Sequence, residues 1–67
     1  MVNMKVNGTY TELTGPATVA DLIVKNKFAE DRIAVELNGR IVPRSEYSRT
    51  MLKDDDSVEI VGFVGGG

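Results

Sequence analysis

The residues best placed to do chemistry stand at the far end of the sequence, where Gly65-Gly66-Gly67 follow an apolar stretch. A chain ending at Gly67 carries its α-carboxylate on a residue without a side chain. Such a group has a pKa of about 3.5, so at neutral pH it is an anion that resists nucleophiles until activated, typically as an acyl adenylate. The activator would be another protein, because 67 residues leave no room for a separate catalytic domain. Glycine suits that traffic, since backbone without a Cβ can lie in a narrow channel and adopt conformations closed to other residues. At about 3.3 Å per extended residue, Val64 to Gly67 reach roughly 13 Å, enough to enter a partner's cleft. The competing reading is that chain ends are often simply small and flexible.

Other chemistry is scarce. The sequence has no histidine, so proton transfer near neutral pH would need a strongly shifted carboxylate or lysine, and a core this small offers little burial to shift one. It has no cysteine, hence no disulfide, thiolate nucleophile or zinc cage. Asp54, Asp55 and Asp56 are adjacent carboxylates without the alternate spacing and distal Glu of a calcium loop, so they read as a solvated turn and no metal is expected. The glycines at 8, 15, 39 and 62 are too dispersed for a phosphate-binding loop. Tyr10, Phe28, Tyr47 and Phe63 are too sparse for a base-stacking platform. A net charge of -2 with scattered Lys and Arg leaves no footprint for nucleic acid. Met1-Val2-Asn3-Met4-Lys5 lacks the apolar run of a signal peptide, and no stretch approaches the roughly 20 apolar residues of a membrane span. A cytoplasmic protein that works on other proteins is expected.

The elements that would position the tail show in the periodicity. Val2, Met4 and Val6 alternate with Asn3, Lys5 and Asn7, the period of a half-buried strand. Asn7-Gly8 suits a type I′ turn, with Thr9 to Thr14 as the returning arm and Gly15-Pro16 ending it. Thr18 offers an N-cap and Asp21 its capping-box partner for a helix over about 19–27. Phe28 is expected in the core beneath that helix end. Ile33, Val35 and Leu37 mark a third strand, Asn38-Gly39 a second turn, and Arg40 to Val42 a short strand ended by Pro43. Ser45 is expected to cap one helical turn through Ser48, with Tyr47 and Leu52 in the core. Ser57 to Val64 has high β propensity and forms the last strand. This order implies an α+β unit, a sheet wrapped around one helix with the C-terminal strand central. A single domain over 1–64 and a flexible glycine tail over 65–67 are expected.

Lys5-Val6-Asn7-Gly8, Thr18-Val19-Ala20-Asp21-Leu22, Val35-Glu36-Leu37-Asn38-Gly39, Ile41-Val42-Pro43-Arg44, Val58-Glu59-Ile60-Val61 and Val64-Gly65-Gly66-Gly67 together resemble the ThiS-type sulfur carriers of thiamine biosynthesis. One departure is Asp55, where such sequences usually carry glycine. The resemblance implies a ubiquitin-like β-grasp fold with a mixed sheet of four to five strands around one helix. It implies a non-enzymatic carrier whose Gly67 carboxylate is adenylated by a ThiF-type enzyme with ATP. A sulfur donor such as a cysteine desulfurase would convert it to a thiocarboxylate for a ThiG-type thiazole synthase. Gly65 and Gly66 would supply the slim tail, and no cofactor would be bound by this chain. Phe63 and Val64, beside the tail, are the expected docking residues, with plain strand packing as the alternative. The rival functions are a molybdopterin-synthase small-subunit-like carrier and a β-grasp binding module in which the glycines are incidental.

Overall fold

In this computed structural model, which describes residues 1–62, the two Asn-Gly pairs set the hairpins. Asn7 (φ 51°) with Gly8 (φ 82°), and Asn38 (φ 52°) with Gly39 (φ 86°), occupy the left-handed region that a type I′ turn needs at both central positions. The first pair joins β1 (Val2–Val6) to β2 (Thr9–Leu13), and the second joins β3 (Ile33–Leu37) to β4 (Arg40–Val42). Both pairings are antiparallel. The last strand, β5 (Ser57–Gly62), lies parallel to β1 and antiparallel to β3. The five-stranded order is therefore β2-β1-β5-β3-β4, with the C-terminal strand central as expected. The helix α1 (Val19–Lys25) packs on one face of this sheet, which is the β-grasp arrangement.

The helix begins as its capping box dictates. Thr18 Oγ1 accepts from the Asp21 amide at 3.2 Å, and Asp21 Oδ2 accepts from the Thr18 amide at 2.8 Å. The Val19 and Ala20 amides donate to the carbonyls of Thr50 and Tyr47, so the connection to β5 seals the helix N-terminus and leaves it no free donors for an anion. At the other end α1 stops at Lys25, two residues short of the expected bound. Lys27 turns left-handed (φ 59°), and the Lys27 and Phe28 amides donate to the carbonyls of Val24 and Ile23 in a Schellman motif. That turn carries Phe28 outward. It is 36% exposed rather than closing the core.

A second expectation is corrected at Ser45. The short 3-10 turn spans Arg44–Glu46 and starts from Pro43, whose carbonyl accepts from the Glu46 amide; no side chain caps it. Proline at φ -61° presets the turn, so a hydroxyl cap is not needed. Apart from Phe28 the core is as read: Met4, Val19, Leu22, Val35 and Val58 are fully buried, with Tyr47 and Leu52 closing the side under the long connection.

Burial raises the Tyr47 phenol above its usual pKa, the charge of Glu30 adds to that, and Arg44 opposes it. The folded chain thus holds the phenolic proton more tightly than the unfolded chain. This contribution is complete below about pH 10 and is lost as pH rises through the folded pKa. Unfolding free energy, measured in urea from about pH 8 to about pH 11, should therefore fall more steeply above pH 10 in the wild type than in Tyr47→Phe. Parallel slopes would refute the assignment.

Candidate functional site

Gly67, with Gly65 and Gly66 of the expected tail and Phe63 and Val64 of the expected docking site, lies outside the described residues. What is described is the strand that leads to them. In β5, Val58 and Ile60 point into the core, while Ser57, Glu59 and Val61 point to the open face of the sheet. On the β3 side five residue pairs hold it, from Leu37↔Val58 to Ile33↔Gly62. On the β1 side only Lys5↔Ser57 and Val6↔Val58 pair, because the chain turns away at Asn7.

Asn7 makes up the shortfall with its own atoms. Its backbone N–H donates to the Val58 carbonyl at 2.8 Å. Its side-chain Oδ1 accepts from the Ile60 amide at 2.7 Å, and its Nδ2 donates to the Ile60 carbonyl at 3.1 Å. A carboxamide has one acceptor and one donor group, like a peptide unit, so Asn7 continues the ladder where the strand has ended. Asn38 does the same at the start of β5. Its N–H donates to the Ser57 carbonyl at 2.8 Å, and its Oδ1 accepts from the Ser57 amide at 2.9 Å. Its Nδ2 donates to Asp56 Oδ1 at 2.9 Å. Both asparagines read in the sequence as turn residues only, and no local signal distinguishes a turn asparagine from one that also clamps a distant strand.

The acidic turn is part of the same assembly. Asp54 and Asp55 are exposed, as expected, but Asp56 is only 5% exposed and is not a solvated carboxylate. Besides Asn38 Nδ2, it accepts from the Lys53 amide at 2.7 Å. Asp54 Oδ1 accepts from the Asn3 amide at 2.9 Å, and the Asp55 amide donates to the Asn3 carbonyl at 2.8 Å. Burial with these donors makes Asp56 a structural acceptor that ties the β3–β4 turn to the loop before β5, while Asp54 and Asp55 tie that loop to β1. Among the described residues no three carboxylates converge closely enough to hold a metal ion.

On the open face, register places Val61 opposite Ala34 and Ile41 opposite Glu36. Val61 and Ile41 are exposed apolar side chains, and Val61 immediately precedes the strand's last residue. Its outward direction follows from its alternation with Val58 and Ile60, a signal the sequence reading left unused.

The ThiS family model matches residues 4–67. This chain belongs to the ThiS family. The crystal structure of the thiamine biosynthesis protein ThiS from Geobacter metallireducens superposes on it with a TM-score of 0.81. The two are 36% identical, over 98% of this chain and 100% of that one. The sulfur carrier protein ThiS of Bacillus subtilis is 38% identical over 50 residues, 75% of this chain and 76% of that protein. A thiazole synthase of Magnetococcus marinus is 33% identical over 66 residues, 98% of this chain. The chain spans only 20% of that synthase's length.

Asp55, the expected departure from the family pattern, adopts φ 70°, in the left-handed region that favours glycine. A side chain there costs energy that glycine does not. Asp55→Gly should raise stability by about 0.5–1 kcal/mol. Asp56→Ala, which strands the Lys53 amide and Asn38 Nδ2, should cost about 2–4 kcal/mol. Urea unfolding of both variants checks the pair, and equal midpoints would refute the division of roles in this turn.

Proposed function

We propose that this ThiS-family chain works as a sulfur carrier of thiamine biosynthesis and is itself a substrate rather than an enzyme, with the Gly67 α-carboxylate as its working group. The observation that carries this reading is the family match, which spans residues 4–67 and so includes Gly67. A carboxylate oxygen of Gly67 attacks the α-phosphorus of ATP on a ThiF-type enzyme, and pyrophosphate leaves. The terminal sulfur of a persulfide, supplied by a cysteine desulfurase, then attacks the acyl carbon and displaces AMP. A second thiol cleaves the resulting acyl disulfide, leaving a thiocarboxylate on Gly67 and a disulfide on the donor.

The recipient of that sulfur is a thiazole synthase. In support, the matching stretch of the Magnetococcus marinus protein is one fifth of a protein of that name. Partner enzymes dock beside the tail, on Phe63 and Val64, with exposed Val61 and Ile41 extending the apolar surface over the open sheet face. No helix among the described residues is long and apolar enough to cross a membrane. The chain works in the cytoplasm, where its ATP-using partner would be.

The reading is tested by intact mass and C-terminal fragmentation after incubation with ATP, a ThiF-type enzyme and a persulfide donor. Oxygen replaced by sulfur at Gly67 is the expected result, and fragmentation separates it from oxidation of Met1, Met4 or Met51. Gly66→Ala should fold normally yet lose about a hundredfold in ATP-dependent activation, because a Cβ displaces the carboxylate in a narrow channel. Wild-type activation of that variant would discard the narrow-channel account, and no modification of the wild type with competent partners would discard the carrier role.

A further inference from the structure

We infer that the Asn7 side chain is a positioning residue for the carrier tail, setting the direction in which the last strand leaves the sheet. The inference rests on the reading of Gly67 as the working end. Its basis is the asymmetry of the two flanks of β5. Toward β3, pairing continues to Ile33↔Gly62. Toward β1, backbone pairing ends at Val58, and among the described residues the last hold is the pair of hydrogen bonds between the Asn7 carboxamide and the Ile60 backbone. The strand's course beyond Ile60 is therefore fixed on one side by a strand and on the other by a single side chain.

Asparagine meets both demands at this position. It tolerates φ 51° better than most residues, and its side chain presents the acceptor and the donor that Ile60 needs together. An aspartate would accept from the Ile60 amide but set a charged oxygen against the Ile60 carbonyl. Seven residues, 61 to 67, follow Ile60. When extended in a partner's cleft they span roughly 23 Å. A strand end released at Ile60 samples more directions, and entering the cleft must then restrict them, which weakens binding and raises KM rather than lowering kcat.

Asn38 provides the control. It clamps Ser57 with the same chemistry and the same left-handed backbone, but at the opposite end of β5 from the tail. The experiment compares Asn7→Gly and Asn38→Gly in the full chain, since glycine keeps the positive φ and removes only the carboxamide. It reads thermal stability, amide exchange at Ile60 by NMR, and KM and kcat for carrier-dependent ATP–pyrophosphate exchange by the adenylating enzyme.

Both variants should lose stability yet remain folded, because β5 keeps its pairs with β3. In Asn7→Gly, Ile60 exchange should rise about tenfold and KM for the carrier should rise about tenfold, with kcat within about twofold of wild type. Asn38→Gly should leave KM unchanged. An unchanged KM in Asn7→Gly, or an equal rise in both variants, would overturn the positioning role, the latter by revealing general loosening. Should Asn7→Gly fail to fold, Asn7→Asp replaces it. That variant should show the raised KM near neutral pH and recover Ile60 protection near about pH 4, where a protonated acid again donates to the carbonyl. A wild-type KM for Asn7→Asp would overturn the role equally. A wild-type chain that is never adenylated sinks the carrier reading and the positioning role with it, while Ile60 exchange still reports the clamp.

Discussion

Ser57–Gly62 must find β1 on one flank and β3 on the other, and its hydrogen bonds to Asn7 cross 53 residues of sequence. Non-local pairing of this kind closes long loops before any contact offsets the lost entropy, whereas the two hairpins close through turns of two residues each. The fold is then two local hairpins joined by a strand that arrives late in the chain. Parallel pairing with β1 amounts to two residue pairs, so the side-chain hydrogen bonds that supplement it are structural necessities of the sheet. Without them the two halves keep the short β1–β5 pairing, its few backbone hydrogen bonds and the core that α1 covers.

The supplement comes from residues with another duty. Asn7 and Asn38 sit in the left-handed conformations of their turns, which points each carboxamide across the turn at β5. Asp56, buried against Asn38, links the same strand to the loop before it. Asp56, the buried residue of the three, is tolerable because both its carboxylate oxygens are hydrogen bonded. The exception among the described residues is Asn3 Oδ1, a buried acceptor without a partner beside the acidic turn.

On the proposed carrier reading, with the Gly67 carboxylate as the working group, the fold has an unusual task. That task asks this domain for no acid, base or nucleophile, only for one strand end delivered in a constant direction with its surroundings accessible. The sheet meets that demand by placing β5 in the middle, with β3 along its length and β1 at its start, instead of at an edge. Exposed Val61 and Ile41 lie on the open face of that sheet. Among the described residues the two surface ion pairs, Arg44 with Glu30 and Arg49 with Glu46, lie on the connections and contribute little to this geometry.

Strand alternation, the two Asn-Gly turns and the Thr18–Asp21 capping box were legible in the sequence because each is a local signal whose physics involves residues within a few positions of one another. They determined the elements, their order and the central place of the last strand, and the three glycines carried the expectation from which the proposed function starts. Tertiary structure decided what those signals do not contain. Phe28 lies outside the core because the Schellman turn at Lys27 redirects the chain, and Asp56 is buried because a strand from another hairpin brings Asn38 to it. The carboxamides of Asn7 and Asn38 acquire their second role only when β5 lies beside them, since a side chain's local conformation cannot state which distant backbone it will meet.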